Sequence, residues 1–202
     1  MSQTKTQLVS SPLNLNGADL TFPSSQGSAN QFLRNGSTAG TLEFGALVSS
    51  NMPTGSILQV VQSSTSTQVS VSTTTYTDTG LSASITPSSS SNKILVIVDQ
   101  DYQVSRTASG LGGGMKILRD STTIHEPISD AGGPFDVYYG GITNVFGRIA
   151  ITKLDSPSST SSITYKTQGR PYTTANSGAI HFNVDGSSID GTSYITLIEV
   201  AA

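Results

Sequence analysis

The chain has 202 residues, a net charge of −3, no cysteine and only 11% charged residues, while Ser and Thr make up about 30% of it. The ten Lys and Arg are scattered singly from Lys5 to Arg170, which leaves no basic footprint for nucleic acid, and the lack of cysteine removes disulfides, thiolate metal sites and a cysteine nucleophile. No segment approaches the roughly 18 consecutive apolar residues of a membrane span, and the start MSQTKTQLVSSPLN has no apolar run for a signal peptide, so synthesis in a cytoplasm is the expectation.

At this length the expectation is one domain with an attached arm, divided here into residues 1–54 and 55–202. Within the arm, Ser28-Ala29-Asn30-Gln31 has capping-box spacing, in which the serine hydroxyl accepts from a backbone amide and the glutamine reaches back. Phe32 and Leu33 follow, and Asn35-Gly36 supplies residues that tolerate the left-handed region, ending a helical turn or beginning a hairpin. Thr41-Leu42-Glu43-Phe44 alternates as a short strand. The arm therefore reads as extended Phe22-Pro23, one helical turn, a tight turn and a short strand. So short a segment cannot normally bury its own apolar side chains. Leu20, Phe22, Phe32, Leu33, Leu42 and Phe44 are accordingly expected to pack on another chain, on the β domain or on a docking surface.

From Gly55 the sequence breaks into short β-branched runs separated by turn residues, the pattern of an antiparallel sandwich or barrel. The predicted strands are SILQVVQ (56 to 62), TQVSVSTTTY (67 to 76), LSASITP (81 to 87), KILVIVDQDYQV (93 to 104) and GMKILRD (114 to 120). TTIHEP (122 to 127), ITNVFGRIAITKLD (142 to 155), SSITYKTQ (161 to 168), AIHFNV (179 to 184) and SYITLIEV (193 to 200) complete the set. ILVIV at 94 to 98 is apolar throughout, as is Ile195 to Ile198 apart from Thr196, and both are expected to be central strands covered on both faces. Turns are expected at 87 to 92, 119 to 122, 155 to 159, Asp185-Gly186 and Asp190-Gly191. A core with no Trp and 6% aromatics is sparse, and subunit association would supplement it.

Residues that could carry chemistry are few. His125 and His181 lie in strand runs, and no G-x-S-x-G elbow accompanies them. The glycine-rich segment 109–114 precedes a strand rather than a helix, so it reads as close backbone packing and not as a phosphate cradle. Asp99 with Asp101, Asp130 with Asp136, and Asp185 with Asp190 lack the alternating acids of a calcium loop. Asp99 and Asp101 share a strand face, which suggests a solvated edge or a carbohydrate contact. Tyr102, Tyr138, Tyr139, Tyr165 and Tyr172 are read as interface filler or as sugar platforms. No catalytic residue, cofactor or metal is expected.

The arm resembles a short module of bacteriophage fibre and appendage proteins: Phe22-Pro23, Gly27, Gln31-Phe32-Leu33, Asn35-Gly36 and Gly40-Thr41-Leu42-Glu43-Phe44 follow its order. The segments 55 to 62, 76 to 99, 117 to 124, 154 to 168 and 194 to 200 resemble C-terminal domains of marine and cyanobacterial phage structural proteins. The resemblance implies a non-enzymatic virion protein with a jelly-roll-like antiparallel β-sandwich, a homotrimer made in the host cytoplasm. Its partners would be other virion proteins, a major capsid protein or a tail component. The anchor would comprise Leu20, Phe22, Pro23, Gln31, Phe32, Leu33, Leu42 and Phe44. Some 54 residues before the β domain fit a compact appendage, a capsid decoration protein or head fibre. The alternative is a short tail fibre or knob that binds host surface glycan through Tyr138 and Tyr139.

Overall fold

The computed structural model describes residues 13–15, 18–108, 110–126, 143–184 and 191–202, and the chain divides into two units, one ending at Met52 and the other spanning Pro53–Ala202. In the first, β1 (Leu13–Leu15) pairs antiparallel with β2 (Ala18–Leu20), and β3 (Gln31–Asn35) pairs antiparallel with β4 (Leu42–Ala46). A parallel bridge between Thr21 and Thr41 extends the hairpin by one residue on its outer side.

The expected helical turn is absent. Its glutamine does reach back, accepting from the Ser28 backbone N–H through Oε1 at 2.7 Å, but the contact closes a turn at Asn30 (φ 63°), and Gln31 then starts a strand. The same local hydrogen bond serves helix or turn, and pairing of residues 31–35 with 42–46 decides between them. The chain reverses from Asn35-Gly36 as expected, over a six-residue connection closed by the Gly36 N–H to the Thr41 carbonyl (2.8 Å).

The second unit contains all ten expected strands: β5 (Ile57–Thr65), β6 (Val69–Val71), β7 (Thr77–Ile85), β8 (Lys93–Ser105), β9 (Gly113–Arg119), β10 (Thr122–His125), β11 (Asn144–Asp155), β12 (Ile163–Pro171), β13 (Ala179–Phe182) and β14 (Ser193–Val200). β6, β10, β11 and β13 are shorter than their runs suggest, β6 most of all, keeping only three residues of 67 to 76. One sheet runs β5-β14-β8-β11 and the other β7-β12-β9-β10, every pair antiparallel. Setting aside the short β6–β13 pair, which adds to the C-terminal half of β8, the eight principal strands follow jelly-roll order, crossing between sheets at every step but β9–β10.

Period-two alternation places the core. Ile94, Val96 and Val98 of β8 face Ile195 and Leu197 of β14 on one sheet, against Leu81, Ile85, Met115, Ile117 and Ile163 on the other, all buried. Both runs expected to be central are central, β8 having β14 on one side and β11 on the other. Their outer residues, however, are only half-buried: Leu95, Ile97 and Ile198 face outward.

The core is also polar in two places. Gln100 donates to Asn183 Oδ1 and Ser193 Oγ, both at 2.8 Å, and accepts from Thr79 and Thr167, so its amide is satisfied although fully buried. At the other end the Glu199 carboxylate, equally buried, accepts from Gln59 (2.6 Å), Asn92 (2.6 Å) and the Ser88 N–H and hydroxyl (2.7 and 2.8 Å).

Candidate functional site: an apolar groove in the N-terminal unit

The β3–β4 hairpin sets Leu33 directly opposite Phe44, so their side chains share one face, while Phe32 lies opposite Gly45 on the other. Arg34 and Glu43, also paired across the strands, form a 2.9 Å ion pair that is about 40% exposed at each partner. Such an exposed pair contributes little stability and mainly marks a wetted surface. Gly27 lies flat on the Phe44 ring, where a Cβ would come within 2.6 Å of a ring carbon. The chain before it, Phe22-Pro23-Ser24-Ser25-Gln26, then walls off a groove whose floor is Leu33 and Phe44, with a volume of about 490 Å³.

Of the residues the sequence assigned to the anchor, the structure brings Phe22, Pro23, Leu33 and Phe44 together around this groove. Gln31 closes the turn that starts β3, and Leu42 starts β4. Phe32 is on the far face of the hairpin, so the set is split between two surfaces. Among residues 19–52 only Gly45 is buried; Phe22, Phe32, Leu33, Leu47 and Val48 are all more than a third exposed. Among its described residues the unit has strands and turns but no interior, in keeping with its length.

Other candidate residues are placed less openly. Tyr165 is no sugar platform: it is fully buried, and its hydroxyl donates to Asp155 Oδ2 at 2.7 Å, with Arg119 on the same carboxylate (2.8 Å); burial, then the neighbouring carboxylate, raise the phenol pKa. Asp99 and Asp101 do not form a solvated pair. Asp99 is bound by Arg148 at 3.0 Å, but Asp101 is buried and accepts the Val184 N–H at 2.8 Å. Gly113 and Gly114 belong to β9, and Gly114 passes close under the Tyr76 hydroxyl, in keeping with backbone packing. Tyr138, Tyr139, Asp130, Asp136, Asp185 and Asp190 lie outside the described residues. Among the described residues no three His, Asp or Glu side chains gather as a metal site requires.

His181 is held by two serines, Ser70 Oγ at Nδ1 (2.8 Å) and Ser105 Oγ at Nε2 (3.2 Å), and burial lowers its pKa below the ordinary 6.5. An imidazole kept neutral in the fold but free to protonate when unfolded stabilises fully above pH about 6.5, and that contribution is lost as pH falls from there towards the folded value. The urea midpoint is therefore expected to drop between pH 7 and pH 5, and to drop less in His181→Gln. An equal drop in both proteins would remove His181 as the cause.

No family model matches the chain, and no curated protein matches it. Among solved structures it is similar to the infectious bursal disease virus VP2 subviral particle, with 12% identity and a TM-score of 0.36 over 84% of this chain and 44% of that one. It is similar also to the infectious bursal disease virus Gx strain, with 12% identity and a TM-score of 0.35 over 100% of this chain and 53% of that one. The chain spans about half the length of these two viral chains.

Proposed function

We propose that the chain is a non-enzymatic structural component of a bacteriophage particle, a homotrimeric appendage of the capsid-decoration or head-fibre kind, attached through its N-terminal unit. The observation that carries this reading is the groove of Phe22, Pro23, Leu33 and Phe44 in a unit whose described residues bury no apolar side chain. Apolar side chains left open to water are stabilised by a partner surface, at roughly 25 cal/mol per Å² buried before ordering costs. The jelly-roll order of the second unit supports the same reading, since that architecture recurs in capsid and lectin domains, as does the resemblance of both segments to phage appendage proteins. Three linked copies would bind a particle with added avidity, and a net charge of −3 leaves little repulsion between them.

The test is reattachment of purified protein to particles lacking it. Phe22→Asp and Leu33→Asp alter exposed side chains, so the sandwich should melt at an unchanged temperature while occupancy falls at least about 100-fold. Undiminished attachment by both variants would overturn the anchor, and failure of the wild-type protein to bind such particles would overturn the virion reading itself.

A further inference from the structure

The outer faces of the two sheets differ in chemistry. On the β7-β12-β9-β10 sheet the outward positions carry hydroxyls and charges: Lys166 pairs with Asp78 at 2.8 Å, and Lys116 and Arg170 stand over the Tyr76 ring at 4.5 and 5.0 Å. Water satisfies such a face. On the other sheet Val60, Ile198, Leu95 and Leu154 stand side by side across four strands, because Ile198 is in register with both Val60 and Leu95, and Leu95 with Leu154. Ile57 and Val200 lie opposite each other in the next row on one side, and Ile97 lies in the next row on the other. Ile57 is 62% exposed, Val60 58% and Leu154 49%.

We propose that this face is the contact between copies of the chain, with Val60, Ile198, Leu95 and Leu154 buried against a second copy. The inference deepens the homo-oligomer part of the function proposed above and rests on it. Four strands about 4.8 Å apart and three rows about 6.8 Å apart give a plan area of about 400 Å². The corrugated side-chain surface exceeds its plan area, so the band supplies at least half of the roughly 800 Å² that each partner gives a standard interface. One row is apolar on all four strands, Ile57 and Val200 continue it on one side, and Ile97 continues it on the other among Gln62, Thr196 and Thr152.

Charge identifies the occupant. The band itself holds no ionised group; Lys93 stands at one end, and at the other Asp99 is already neutralised by Arg148 within the same chain. Among the described residues a charged partner would have nothing to pair with in the band, and a lipid surface would find at its margins Lys93 and an Arg148 already paired with Asp99. Around a threefold axis one margin of the band on each copy meets the other margin on the next, so neutral β-branched and leucine side chains meet their like and nothing ionised is buried unpaired. The sequence of β8 points the same way, since a strand apolar on both sides is built to be covered on both sides, and the chain covers one.

Sedimentation equilibrium of the purified full chain, without particles, tests the inference. The wild type is expected to be oligomeric at micromolar concentration, with Val60→Asp and Leu154→Asp dissociating at least about 100-fold more readily at unchanged far-UV circular dichroism. Phe22→Asp and Lys166→Glu should leave association intact. Because the chain has no cysteine, Val60→Cys adds a single thiol, whose alkylation should slow at least about tenfold on raising the protein from the monomer to the oligomer range. A wild type monomeric at about 100 µM, or an oligomer in which both aspartate variants associate normally and the thiol stays equally reactive, would sink the proposal. Failure of the wild-type chain to reattach to particles while it still self-associates would count instead against the virion reading.

Discussion

Glu199→Ala is expected to destabilise the β-sandwich by about 3 kcal/mol, the largest effect of any single surface-distant polar substitution in the chain. The carboxylate has no exposed surface and accepts four hydrogen bonds, one from Gln59 in β5, one from Asn92 and two from Ser88 in the β7–β8 connection. Its loss would leave the buried Asn92 amide, which is 4% exposed, with only its longer 3.2 Å donation to Ser88 Oγ, and loosen the connection that Asn92 also ties to the Ala202 N–H. Burial alone would raise the acid's pKa, but the hydrogen bonds from Asn92, Gln59 and Ser88 outweigh it and hold the pKa below 4.5. A depressed carboxylate pKa means a contribution complete above the unfolded value and lost as pH falls through the folded one. Urea unfolding at pH 7 should therefore separate wild type and variant fully, with the gap narrowing below pH 4.5. A gap under about 1 kcal/mol at pH 7 would show that the network is worth no more than an exposed one.

Phe182→Ala should cost about 3 to 5 kcal/mol, because it empties a fully buried site at the junction of the two sheets. Phe182 sits on β13, paired with the C-terminal half of β8, and its ring fills the space above Gly169 of β12 in the opposite sheet. A Cβ at Gly169 would occupy the position of that ring, so Gly169→Ala is expected to cost about 1 to 3 kcal/mol through overpacking. The two losses should not add. In Phe182→Leu with Gly169→Ala the smaller ring-free side chain leaves room for the methyl, and the double variant should be more stable than the sum of its single changes predicts, by at least about 0.5 kcal/mol. Strict additivity in thermal melts would mean that the ring and the glycine do not share one space.

The open apolar band and the groove without an interior have a common origin in composition. With six Phe, seven Tyr and no Trp, the chain packs its inner faces with Ile, Val and Leu, and those same residues continue onto the outward side of β5, β8, β11 and β14. Ser, Thr and charged side chains take the outward positions of the opposite sheet instead.

Strand existence was legible in the sequence because it is local: alternation at period two, β-branched residues and turn residues at the ends act within a few positions, and all ten runs after Gly55 became strands. The small size and apolar content of the N-terminal unit were equally plain, and four of its named residues do line one groove. Tertiary structure alone decided the rest. Whether Ser28–Gln31 opens a helix or a turn depended on β4, eleven residues further on. That Glu199 is buried was signalled only by its place at period two after Ile195 and Leu197, and its partners Gln59 and Asn92 lie 140 and 107 residues away. Tyr165 and Asp101 looked like surface groups until Asp155 and the Val184 amide reached them across the fold. Pairing of distant strands and satisfaction of buried polar groups are set by which segments meet in space, and no short window of a chain contains that information.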